Sequence, residues 1–446
     1  MKVAFCTLGC KVNFYETEKM MEAFSKQGFE VIKEPENADI YVINTCTVTN
    51  MADRKSRQMI RRGKKKNPAC LVVAVGCYAQ SDGEKLKKDS DIDLVLDNKE
   101  KEQIVEYIMS YLEKQEPEEE KPAVKEKEAF NHAVVYREAG YDFVHERTRA
   151  FIKVQSGCNQ FCTYCIIPFV RGKLTSRLAE DVVGEIRELA KRGFQEFVIT
   201  GIHLSSYGVD LSEAKNFLEL EGRPLLALLK KIAEIHGVER LRLGSLEPRI
   251  ITEGFLRELI KNEKVCPHFH LSLQSGCDET LARMNRHYTT AEYEEKCRLL
   301  RTFYDNPAIT TDVIVGFPGE TEEEFETTRN YLKRLKLAQM HIFRYSRRSG
   351  TKADKMEHQI AEQVKAKRSG RLLSLEESLQ AEYNQSFLGK TEQVLFEETV
   401  EIEGIKYLTG FNERYVKIGV PLKEAEEKGY HENGIFSVEV CHVLKK

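Results

Sequence analysis

The sequence predicts an α/β protein in three parts: a parallel α/β sheet domain over residues 1–112, a (β/α)6 partial TIM barrel over residues 149–380, and a small antiparallel β-barrel over residues 381–446. Three observations predict this order. Apolar runs alternate with helical patterns at the N-terminus, strand-then-helix repeats fill the centre, and short glycine-punctuated β runs end the chain. Residues 113–148 are expected to be a linker, because residues 113–128 are charged, contain proline and lack apolar periodicity.

The N-terminal part alternates between strand-like and helix-like segments. Strands are predicted over residues 3–8, 39–44 and 71–76, and the last of these is an almost unbroken apolar run. Helices are predicted between them, over residues 15–27 and 51–66. Apolar strands that alternate with helices are typical of a parallel sheet covered on both faces.

The central part repeats a strand followed by a helix six times. Helical patterns over residues 179–192, 225–235 and 322–335 lie between short apolar runs. The six predicted strands span residues 151–155, 197–200, 241–245, 269–274, 311–315 and 339–343. Repeats of this kind indicate a parallel barrel, complete or partial.

The last part has a different pattern. After a predicted helix over residues 366–387, short β-like runs are separated by glycines. These runs span residues 394–396, 400–402, 407–409, 415–418 and 436–440. Short strands joined by tight turns favour a small antiparallel barrel.

Composition limits the class of protein. The 446 residues carry 68 lysines and arginines against 71 aspartates and glutamates, a formal charge of −3, which excludes a uniformly basic nucleic-acid coat protein but not local basic patches. Hydrophobic residues at 41% and charged residues at 31% suit a globular protein with a sizeable core. The first residues lack the pattern of a secretion signal and no stretch is long enough to cross a membrane. We therefore expect a cytoplasmic protein without a membrane partner, and we also expect a monomer.

Three cysteines form the strongest functional motif. Twelve cysteines are too few for a disulfide scaffold in a chain of this length, and cytoplasmic thiols stay reduced and available for a metal. Cys158, Cys162 and Cys165 form a C-x3-C-x2-C motif directly after a predicted strand. Thiolates at this density select zinc or an iron–sulfur cluster, and a structural zinc site would need a fourth protein ligand. Three thiolates on a four-iron cube leave one iron open to an external molecule, whereas the alternative is three cysteines that share a loop by chance.

The segment around this motif resembles the radical S-adenosylmethionine superfamily. Residues 157–159, 162–168 and 171–172 are similar in particular to the methylthiotransferase family. The resemblance implies that the three cysteines hold a [4Fe–4S] cluster whose open iron chelates S-adenosylmethionine, and that reduction releases a 5′-deoxyadenosyl radical. An aromatic C–H bond is too inert for acid–base chemistry, which is why a cofactor would supply a radical.

A second set of cysteines is predicted to meet in space. Cys10 and Cys46 lie two residues beyond the first and second predicted strands, and Cys77 directly follows the third. Residues just beyond the carboxyl ends of strands in an open α/β sheet share one crevice, so these thiolates indicate a metal site. The alternative is coincidence, because Cys6 and Cys70 lie nearby and buried cysteines are common.

The family resemblance extends to this second set. Residues 7–13, 44–49 and 76–80 are similar to the N-terminal domain of the methylthiotransferases. The resemblance implies that the three cysteines carry an auxiliary [4Fe–4S] cluster, again with one open iron, where sulfur is mounted and methylated.

Polar residues and glycine stand at the carboxyl ends of predicted barrel strands, where barrel ligands gather. They are Thr200, Gly201, Ser245, Glu247 and Gln274. Glycine lets the backbone approach a ligand closely, and Glu247 has the chemistry to bind a ribose hydroxyl or an ammonium group, although ordinary turn chemistry is the alternative. The resemblance supports these segments as S-adenosylmethionine contacts, and Tyr164, between two cysteines, would either lean towards the adenine or shield the cluster.

Two segments are strongly basic. Residues 50–68 carry a net charge of +7 and residues 332–372 a net charge of +9. A charged run is usually a solvated face, but one run lies between two proposed cluster ligands and the other begins near the last predicted barrel strand. Basic surface beside a redox site fits a polyanion that is held while one base enters. The terminal part resembles a TRAM module, which binds tRNA in this family, although residues 384–446 carry a net charge of −3.

Residues 9–16 are most similar to the branch of the family that acts on threonylcarbamoyladenosine in tRNA. The resemblance implies the 2-methylthiolation of N6-threonylcarbamoyladenosine at position 37, in the anticodon loop, with S-adenosylmethionine as both methyl donor and radical source. We expect an electron donor of the flavodoxin or ferredoxin type, and the sequence identifies no sulfur donor. The alternatives are the same chemistry on isopentenyladenosine in tRNA or on a ribosomal protein, and more distantly a non-catalytic RNA-binding metal protein.

Overall fold

The computed structural model describes residues 1–114 and 148–444. The chain divides into two compact units, Met1–His145 and Glu146–Lys446. The linker expected over residues 113–148 lies almost entirely outside the described residues. Within the described part of the chain, no helix combines the length and the apolar character that crossing a bilayer requires.

The first unit is a five-stranded parallel sheet with helices between its strands. Its elements are β1 (Lys2–Thr7), α1 (Lys11–Lys26), β2 (Glu30–Ile32), β3 (Ile40–Thr45), α2 (Asn50–Lys66), β4 (Leu71–Gly76), α3 (Cys77–Leu86), β5 (Leu94–Val95) and α4 (Ile104–Glu113). The strand order is β2-β1-β3-β4-β5, and every pairing is parallel. The predicted parallel sheet is therefore confirmed, and it also includes the two short strands β2 and β5, which the sequence pattern did not predict.

Both faces of this sheet are buried, as the apolar runs require. Tyr41 and Ile43 of β3 pack into a cluster on one face, and Val42 of the same strand packs on the other. Alternate side chains of a strand point to opposite faces, so a strand that is apolar throughout must be covered twice. This burial fixes the register of the central pair β3–β4, in which Ile40 lies beside Leu71.

The second unit begins with strands and helices in alternation. Its elements are β6 (Arg149–Ser156), α5 (Ile167–Val170), β7 (Thr175–Ser176), α6 (Ala179–Lys191), β8 (Glu196–Gly201), α7 (Phe217–Leu220), α8 (Arg223–Ala233), β9 (Arg240–Leu243), α9 (Glu253–Leu259), β10 (His268–His270), α10 (Asp278–Arg283), α11 (Thr290–Phe303), β11 (Ala308–Val315), α12 (Glu322–Leu335), β12 (Gln339–Arg344) and α13 (Glu362–Gln385).

These strands form two sheets, ordered β7-β6-β8-β9 and β10-β11-β12. All pairings are parallel except that of the two-residue strand β7. Single parallel bridges, Leu241 with Val265 and Leu246 with Leu271, connect the two sheets. Six parallel strands therefore follow one another in chain order, as the strand-then-helix repeat predicted.

Local sequence signals set the helix starts in this unit. Thr289 and Glu292 form a capping box at the start of α11, and Thr321 and Glu324 form another at the start of α12. In each box the hydroxyl accepts a backbone N–H and the glutamate accepts the N–H of the threonine, which satisfies two donors that the helix leaves open. One face of each helix then packs against the strands through an apolar cluster that includes Phe269.

The remainder of the second unit is an antiparallel sheet. It contains β13 (Thr391–Ile402), β14 (Ile405–Asn412), β15 (Lys417–Pro421), α14 (Leu422–Glu427), β16 (Ile435–Glu439) and β17 (His442–Val443), with the strand order β16-β13-β14-β15-β17. The antiparallel arrangement is confirmed. Residues 394–396 and 400–402, predicted as separate strands, belong to one strand with an irregularity between Phe396 and Glu398, because a bulge bends the strand without ending it.

The antiparallel sheet packs against the amino ends of the parallel strands. Buried Arg242 of β9 donates to the backbone oxygen of Glu413 at 2.8 Å, and its Nε lies 2.8 Å from Glu196 of β8. The guanidinium groups of Arg149 and Arg242 both lie over the ring of Tyr415, at 4.7 and 4.8 Å. This contact occupies the amino ends of β6, β8 and β9 and leaves their carboxyl ends for ligands.

Candidate functional site

The first cysteine trio lies in the loop that follows β6. Cys158, Cys162 and Cys165 are all half-buried and form no disulfide. The N–H of Cys165 donates to the backbone oxygen of Cys162 at 3.0 Å, so these two residues share one turn. The N–H of Cys158 donates to the oxygen of Gly172 at 3.3 Å, which ties the start of the loop to its end. The loop therefore holds the three thiols together without a helix or strand.

Gly157 allows this loop to close. Its φ is +67°, and a Cβ there would lie 2.0 Å from the backbone oxygen of Lys173. Only glycine combines the left-handed backbone with this close approach. The side-chain amide of Gln155 donates to the oxygen of Gly157 at 2.7 Å and fixes the peptide just before the first cysteine.

Arg286 lies against this trio, and the sequence reasoning missed it. Its Nη1 lies 3.4 Å from Cys162 Sγ, its Nη2 donates to the oxygen of Ser272 at 3.2 Å, and its Nε donates to the hydroxyl of Tyr288 at 3.0 Å. Arg286 belongs to no recognisable motif and is far from the cysteines in sequence. The half-buried guanidinium thus joins Cys162 to the residues that follow β10 and α10.

Three cysteine thiols in one loop are the donor set that zinc or an iron–sulfur cluster takes. Burial, followed by the neighbouring Cys162, raises the pKa of Cys165 to about 12, so this thiol keeps its proton at neutral pH unless a metal replaces it. Among the described residues, the group of His270, Asp312 and His341 is the only one that brings three ligand atoms within 4.8 Å of one another. Within the described residues, the three sulfurs of this trio therefore do not all lie within 4.8 Å of one another.

Tyr164 lies in an apolar cluster and not on an open surface. Its ring meets Phe317 edge-on, with the centroids 6.4 Å apart, and the same cluster contains Met284, Tyr345 and Ala353. Burial raises the pKa of the Tyr164 phenol well above its usual value. The cluster anchors the cysteine loop to the segments that follow β11 and β12.

The residues proposed at the carboxyl ends of β8 and β9 have defined positions. Thr200 is buried, and a Cβ on Gly201 would lie 2.8 Å from Gln155 Oε1. Ser245 is exposed. Buried Glu247 accepts from the Nε of Arg249 at 2.6 Å and from the N–H of the same residue at 2.8 Å. Both carboxylate oxygens of Glu247 thus already accept a hydrogen bond, and both hydrogen bonds come from Arg249.

Gln274 continues the sheet beyond β10. Its N–H donates to the oxygen of Asp312 at 2.9 Å and its own oxygen accepts from Ile314 at 2.9 Å. Its φ is +74°, an uncommon conformation for a residue other than glycine. Such outliers persist where the surrounding structure enforces them, and this one lies at the strand end where ligands gather.

His203 is a second residue that the sequence reasoning missed. Its Nδ1 lies 2.7 Å from Ser206 Oγ, whereas its buried Nε2 makes no hydrogen bond. Burial, followed by the charges of Arg286 and Arg249, lowers the pKa of His203 to about 3. The imidazole is therefore neutral at physiological pH and follows the end of β8 as an uncharged polar group.

The second cysteine trio gathers at one edge of the sheet in the first unit. Cys10 immediately precedes α1, Cys46 follows β3, and Cys77 is the first residue of α3. The strands before them, β1, β3 and β4, are neighbours in the sheet. A Cβ on Gly9 would lie 2.9 Å from Cys46 Sγ, so the loops that carry Cys10 and Cys46 touch.

Two asparagines and a threonine join the three loops. The Nδ2 of Asn13 donates to the oxygens of Leu8 and Thr45, at 2.7 and 3.1 Å, and the Nδ2 of Asn44 donates to the oxygen of Asn13 at 2.9 Å. The hydroxyl of Thr45 accepts the N–H of Ala79 at 3.2 Å. The cysteines alone did not reveal this network, although all three residues lie within segments that carry the family resemblance.

The other two cysteines near this sheet lie elsewhere. Cys6 is within β1, and burial raises its pKa. Cys70 precedes β4, is fully buried, and has its pKa raised to about 11 mainly by burial. Both cysteines pack in the apolar cluster on one face of the sheet.

The two basic segments differ in how much charge they expose. Helix α2 buries Ser56, Ile60 and Gly63 on one face and presents basic side chains on the other. Its exposed cations are Arg54, Lys55, Arg61, Arg62, Lys65 and Lys66. In residues 332–372, however, buried Arg368 lies 2.6 Å from Glu320.

Further cations of residues 332–372 are also paired. Lys365 is buried and binds the oxygen of Tyr345 at 3.0 Å, and Arg334 lies 3.0 Å from Glu294. Acids from outside the segment therefore neutralise part of its +9 charge, as Asp93 and Glu36 do for Lys64 and Lys66 of α2.

Each of the two cysteine trios lies in a region of this chain that matches a known protein family. The family described as Uncharacterized protein family UPF0004 matches residues 2–97, and the Radical SAM superfamily matches residues 152–332. Threonylcarbamoyladenosine tRNA methylthiotransferase MtaB of Bacillus subtilis is 39% identical over 93% of this chain and 89% of its own length. The protein of the same name from Aquifex aeolicus is 40% identical over 94% of this chain and 98% of its own length.

A second group of relatives and a solved structure also match this chain. A tRNA-2-methylthio-N(6)-dimethylallyladenosine synthase of Clostridium botulinum is 34% identical over 88% of this chain and 85% of its own length. The solved structure of the radical S-adenosylmethionine methyltransferase TsrM from Kitasatospora setae, with cobalamin and a [4Fe-4S] cluster bound, is similar with a TM-score of 0.51 at 17% identity, over 77% of this chain and 72% of that one. The structural likeness shows a shared fold, and the sequence likeness over nearly the whole chain shows that the protein belongs to the radical S-adenosylmethionine methylthiotransferase family.

Proposed function

We propose that this protein converts N6-threonylcarbamoyladenosine at position 37 of tRNA, in the anticodon loop, to its 2-methylthio derivative. One observation carries the proposal: a chain with two separate cysteine trios is 39–40% identical, over more than nine-tenths of its length, to two threonylcarbamoyladenosine tRNA methylthiotransferases. The dimethylallyladenosine synthases are less similar, at 34% identity. The isopentenyladenosine alternative and the ribosomal-protein alternative are therefore outcomes for the experiment to exclude.

Each trio would hold one [4Fe–4S] cluster. Cys158, Cys162 and Cys165 would bind the first cluster, and the trio of the first unit would bind the auxiliary one. When bound, the clusters and S-adenosylmethionine supply a radical able to remove a hydrogen atom from an aromatic C–H, together with the sulfur and methyl groups that replace it. Thr200, Gly201 and the other residues proposed at the strand ends would bind S-adenosylmethionine.

The chain's own groups prepare this site. Arg286 brings a permanent positive charge to within 3.4 Å of Cys162 Sγ. Gly157 and Gln155 set the loop geometry through a 2.7 Å hydrogen bond. The cluster around Tyr164 and Phe317 covers one side of the loop and excludes water, which protects a reactive radical from side reactions.

Further features complete the proposal. The parallel strands of the second unit would form a (β/α)6 partial barrel within residues 149–380, and residues 381–446 would be a TRAM module. Residues 1–112 would form the auxiliary-cluster domain and residues 113–148 the linker. The exposed cations of α2 would contact the phosphates of tRNA. We further propose a cytoplasmic monomer that receives electrons from a flavodoxin- or ferredoxin-like donor.

Reconstituted enzyme tests the function directly. The protein is incubated anaerobically with S-adenosylmethionine, a strong reductant, a sulfide source and either of two tRNAs, one with threonylcarbamoyladenosine and one with dimethylallyladenosine at position 37. We expect 5′-deoxyadenosine together with 2-methylthio-N6-threonylcarbamoyladenosine by mass spectrometry. A product on the dimethylallyl tRNA alone, or no methylthio nucleoside at all, would overturn the assignment.

The matched control is the triple variant in which Cys158, Cys162 and Cys165 are alanine. It should retain the iron of the first unit but form no 5′-deoxyadenosine. A triple variant that still cleaves S-adenosylmethionine would place the radical chemistry elsewhere in the chain.

A further inference from the structure

One face of strands β10–β12 carries polar side chains for which the proposed cluster chemistry has no use. Phe269 of β10 and Met340 of β12 point into the core beneath the helices. His270, Asp312 and His341 occupy the alternate positions and therefore lie on the opposite face. We call these three residues the polar wall.

The three side chains of the polar wall converge. Asp312 and His341 are Cα partners across the β11–β12 pair, and the ligand atoms of all three residues lie within 4.8 Å of one another. The rings of His270 and His341 are stacked, with centroids 5.8 Å apart. Three polar side chains from three neighbouring strands thus form one small surface.

One buried nitrogen of the polar wall has no hydrogen-bond partner among the described residues. The Nδ1 of His270 lies 3.0 Å from Thr310 Oγ1, which orients the ring. Its buried Nε2 makes no hydrogen bond, although Asp312 Oδ2 lies 3.4 Å away. A buried polar atom without a partner is costly, and a ligand that supplies the partner recovers that cost. His341 is exposed and lies beside this atom.

The polar wall lies close to the first cysteine loop. Ser272 comes two residues after His270, a rise of roughly 7 Å along an extended chain. The backbone oxygen of Ser272 accepts from Arg286, whose other nitrogen lies 3.4 Å from Cys162 Sγ. A base whose reacting carbon approached that loop would have its remaining atoms within reach of the polar wall.

We propose that the polar wall binds the N6 substituent of the target adenosine and thereby selects threonylcarbamoyladenosine over dimethylallyladenosine. This inference rests on the proposed function. A threonylcarbamoyl group carries a carboxylate, which accepts from imidazole N–H groups of His270 and His341, and it carries N–H and O–H groups that donate to the carboxylate of Asp312. A dimethylallyl group is a hydrocarbon, and it offers none of these hydrogen bonds to the three side chains.

A neighbouring aromatic residue supports this placement of the base. Phe343 comes two residues after His341 on β12, on the same face, and its side chain is 43% exposed. A large exposed phenyl ring is a stacking platform for a base that has left its helix. The purine would thus stack on Phe343 while its N6 substituent extends towards His341.

The test compares two RNAs with one substitution. The substitution His341→Phe replaces the imidazole with a flat aromatic ring that has no nitrogen. Reconstituted wild-type and variant enzymes act on anticodon stem-loops that carry either threonylcarbamoyladenosine or dimethylallyladenosine. We expect kcat/KM on the threonylcarbamoyl RNA to fall about 10- to 100-fold, mainly through KM, because charged hydrogen bonds are lost. On the dimethylallyl RNA kcat/KM should be unchanged or higher.

Two controls keep the result interpretable. His236→Phe changes an exposed histidine in the loop after α8 and should behave as wild type on both RNAs. His341→Asn keeps an N–H donor and should recover part of the lost kcat/KM on the threonylcarbamoyl RNA. Cleavage of S-adenosylmethionine without RNA should be the same in all variants, which shows that the cluster site is intact.

Several outcomes would overturn the proposal. Two results would refute the selective role of the polar wall and leave the proposed function standing. One is an equal loss of kcat/KM on both RNAs, and the other is no loss on the threonylcarbamoyl RNA when the wild type acts on it. One equivalent of zinc or another divalent ion in the wild-type protein, lost in His341→Phe, would show that the polar wall is a metal site instead. A wild-type enzyme that never acts on the threonylcarbamoyl RNA would overturn both this inference and the proposed function.

Discussion

The guanidinium of Arg286 lies 3.4 Å from the sulfur of Cys162, although 124 residues separate them in the chain. The same side chain donates to the oxygen of Ser272 and to the hydroxyl of Tyr288. Arg286 therefore connects the proposed cluster ligand Cys162 to Ser272, which follows β10, one of the three strands that carry the polar wall. A buried cation that is not paired with a carboxylate is expensive, and the sulfur of Cys162 supplies part of the compensation.

Removal of this cation should weaken the site and the fold together. We expect Arg286→Met to lower the free energy of unfolding by about 2–3 kcal/mol, because it removes the hydrogen bonds that a charged group makes to Ser272 and Tyr288. The variant should also retain less iron after anaerobic gel filtration. Arg334→Met, which removes an exposed arginine paired with Glu294, is the control and should change neither quantity measurably. Full iron retention in Arg286→Met would show that the guanidinium does not support the cluster.

Two glycines of the cysteine loop offer a matched comparison. Gly157 and Gly172 both have positive φ, but a Cβ on Gly157 would lie 2.0 Å from a backbone oxygen, whereas a Cβ on Gly172 would meet no atom within 4 Å. Gly172→Ala should cost about 1–2 kcal/mol of backbone strain. Gly157→Ala should cost clearly more and lose the iron of the second unit. Chemical denaturation and iron analysis measure both effects, and equal behaviour of the two variants would contradict the loop geometry described above.

The two cysteine trios should bind iron independently. We expect the triple alanine variant at Cys10, Cys46 and Cys77 to retain roughly half of the wild-type iron after reconstitution, since each trio would hold a four-iron cluster. It should still cleave S-adenosylmethionine but transfer no methylthio group. Iron and sulfide analysis, together with nucleoside mass spectrometry, checks this expectation. Complete loss of iron would mean that the second unit cannot hold its cluster without the first.

The ion network between the parallel strands and the antiparallel sheet should make the second unit sensitive to acid. Burial raises the pKa of Glu196, but Arg242 and Arg149 outweigh it and hold the pKa below the ordinary value. A carboxylate with a lowered folded-state pKa stabilises the protein above its unfolded pKa of about 4.3 and loses that contribution as the pH falls through the folded value. Unfolding measured in urea should therefore show stability falling below about pH 4.5.

The matched variant for this network is Glu196→Gln. At pH 7 it should be less stable than wild type by about 3–5 kcal/mol, because it leaves buried arginines without their counter-ion. Its stability should also depend less on pH between 5 and 3. A variant that shows the wild-type pH dependence would exclude Glu196 as the titrating group.

Much of the architecture could be predicted because it depends on local patterns. The unbroken apolar run of residues 71–76 must be covered on both faces, and the structure buries every residue of β4. The capping sequences at Thr289 and Thr321 are typical of helix starts, and each lies at the start of a helix here. The same reasoning missed the three-residue strand β2 and the two-residue strand β5, which are too short to show a period. It also predicted two strands where β13 is one strand with a bulge.

The sequence by itself determined the order of strands and helices and the spacing of the thiols, because periodicity and short-range spacing are properties of neighbouring residues. Tertiary structure alone decided that Arg286 lies beside Cys162, that the buried Nε2 of His203 has no partner, and that His270 and His341 stack on one face. It also decided that Tyr415 packs between arginines at the amino ends of the parallel strands. These relationships join residues distant in the chain, and only the packing of whole elements brings them within reach of each other.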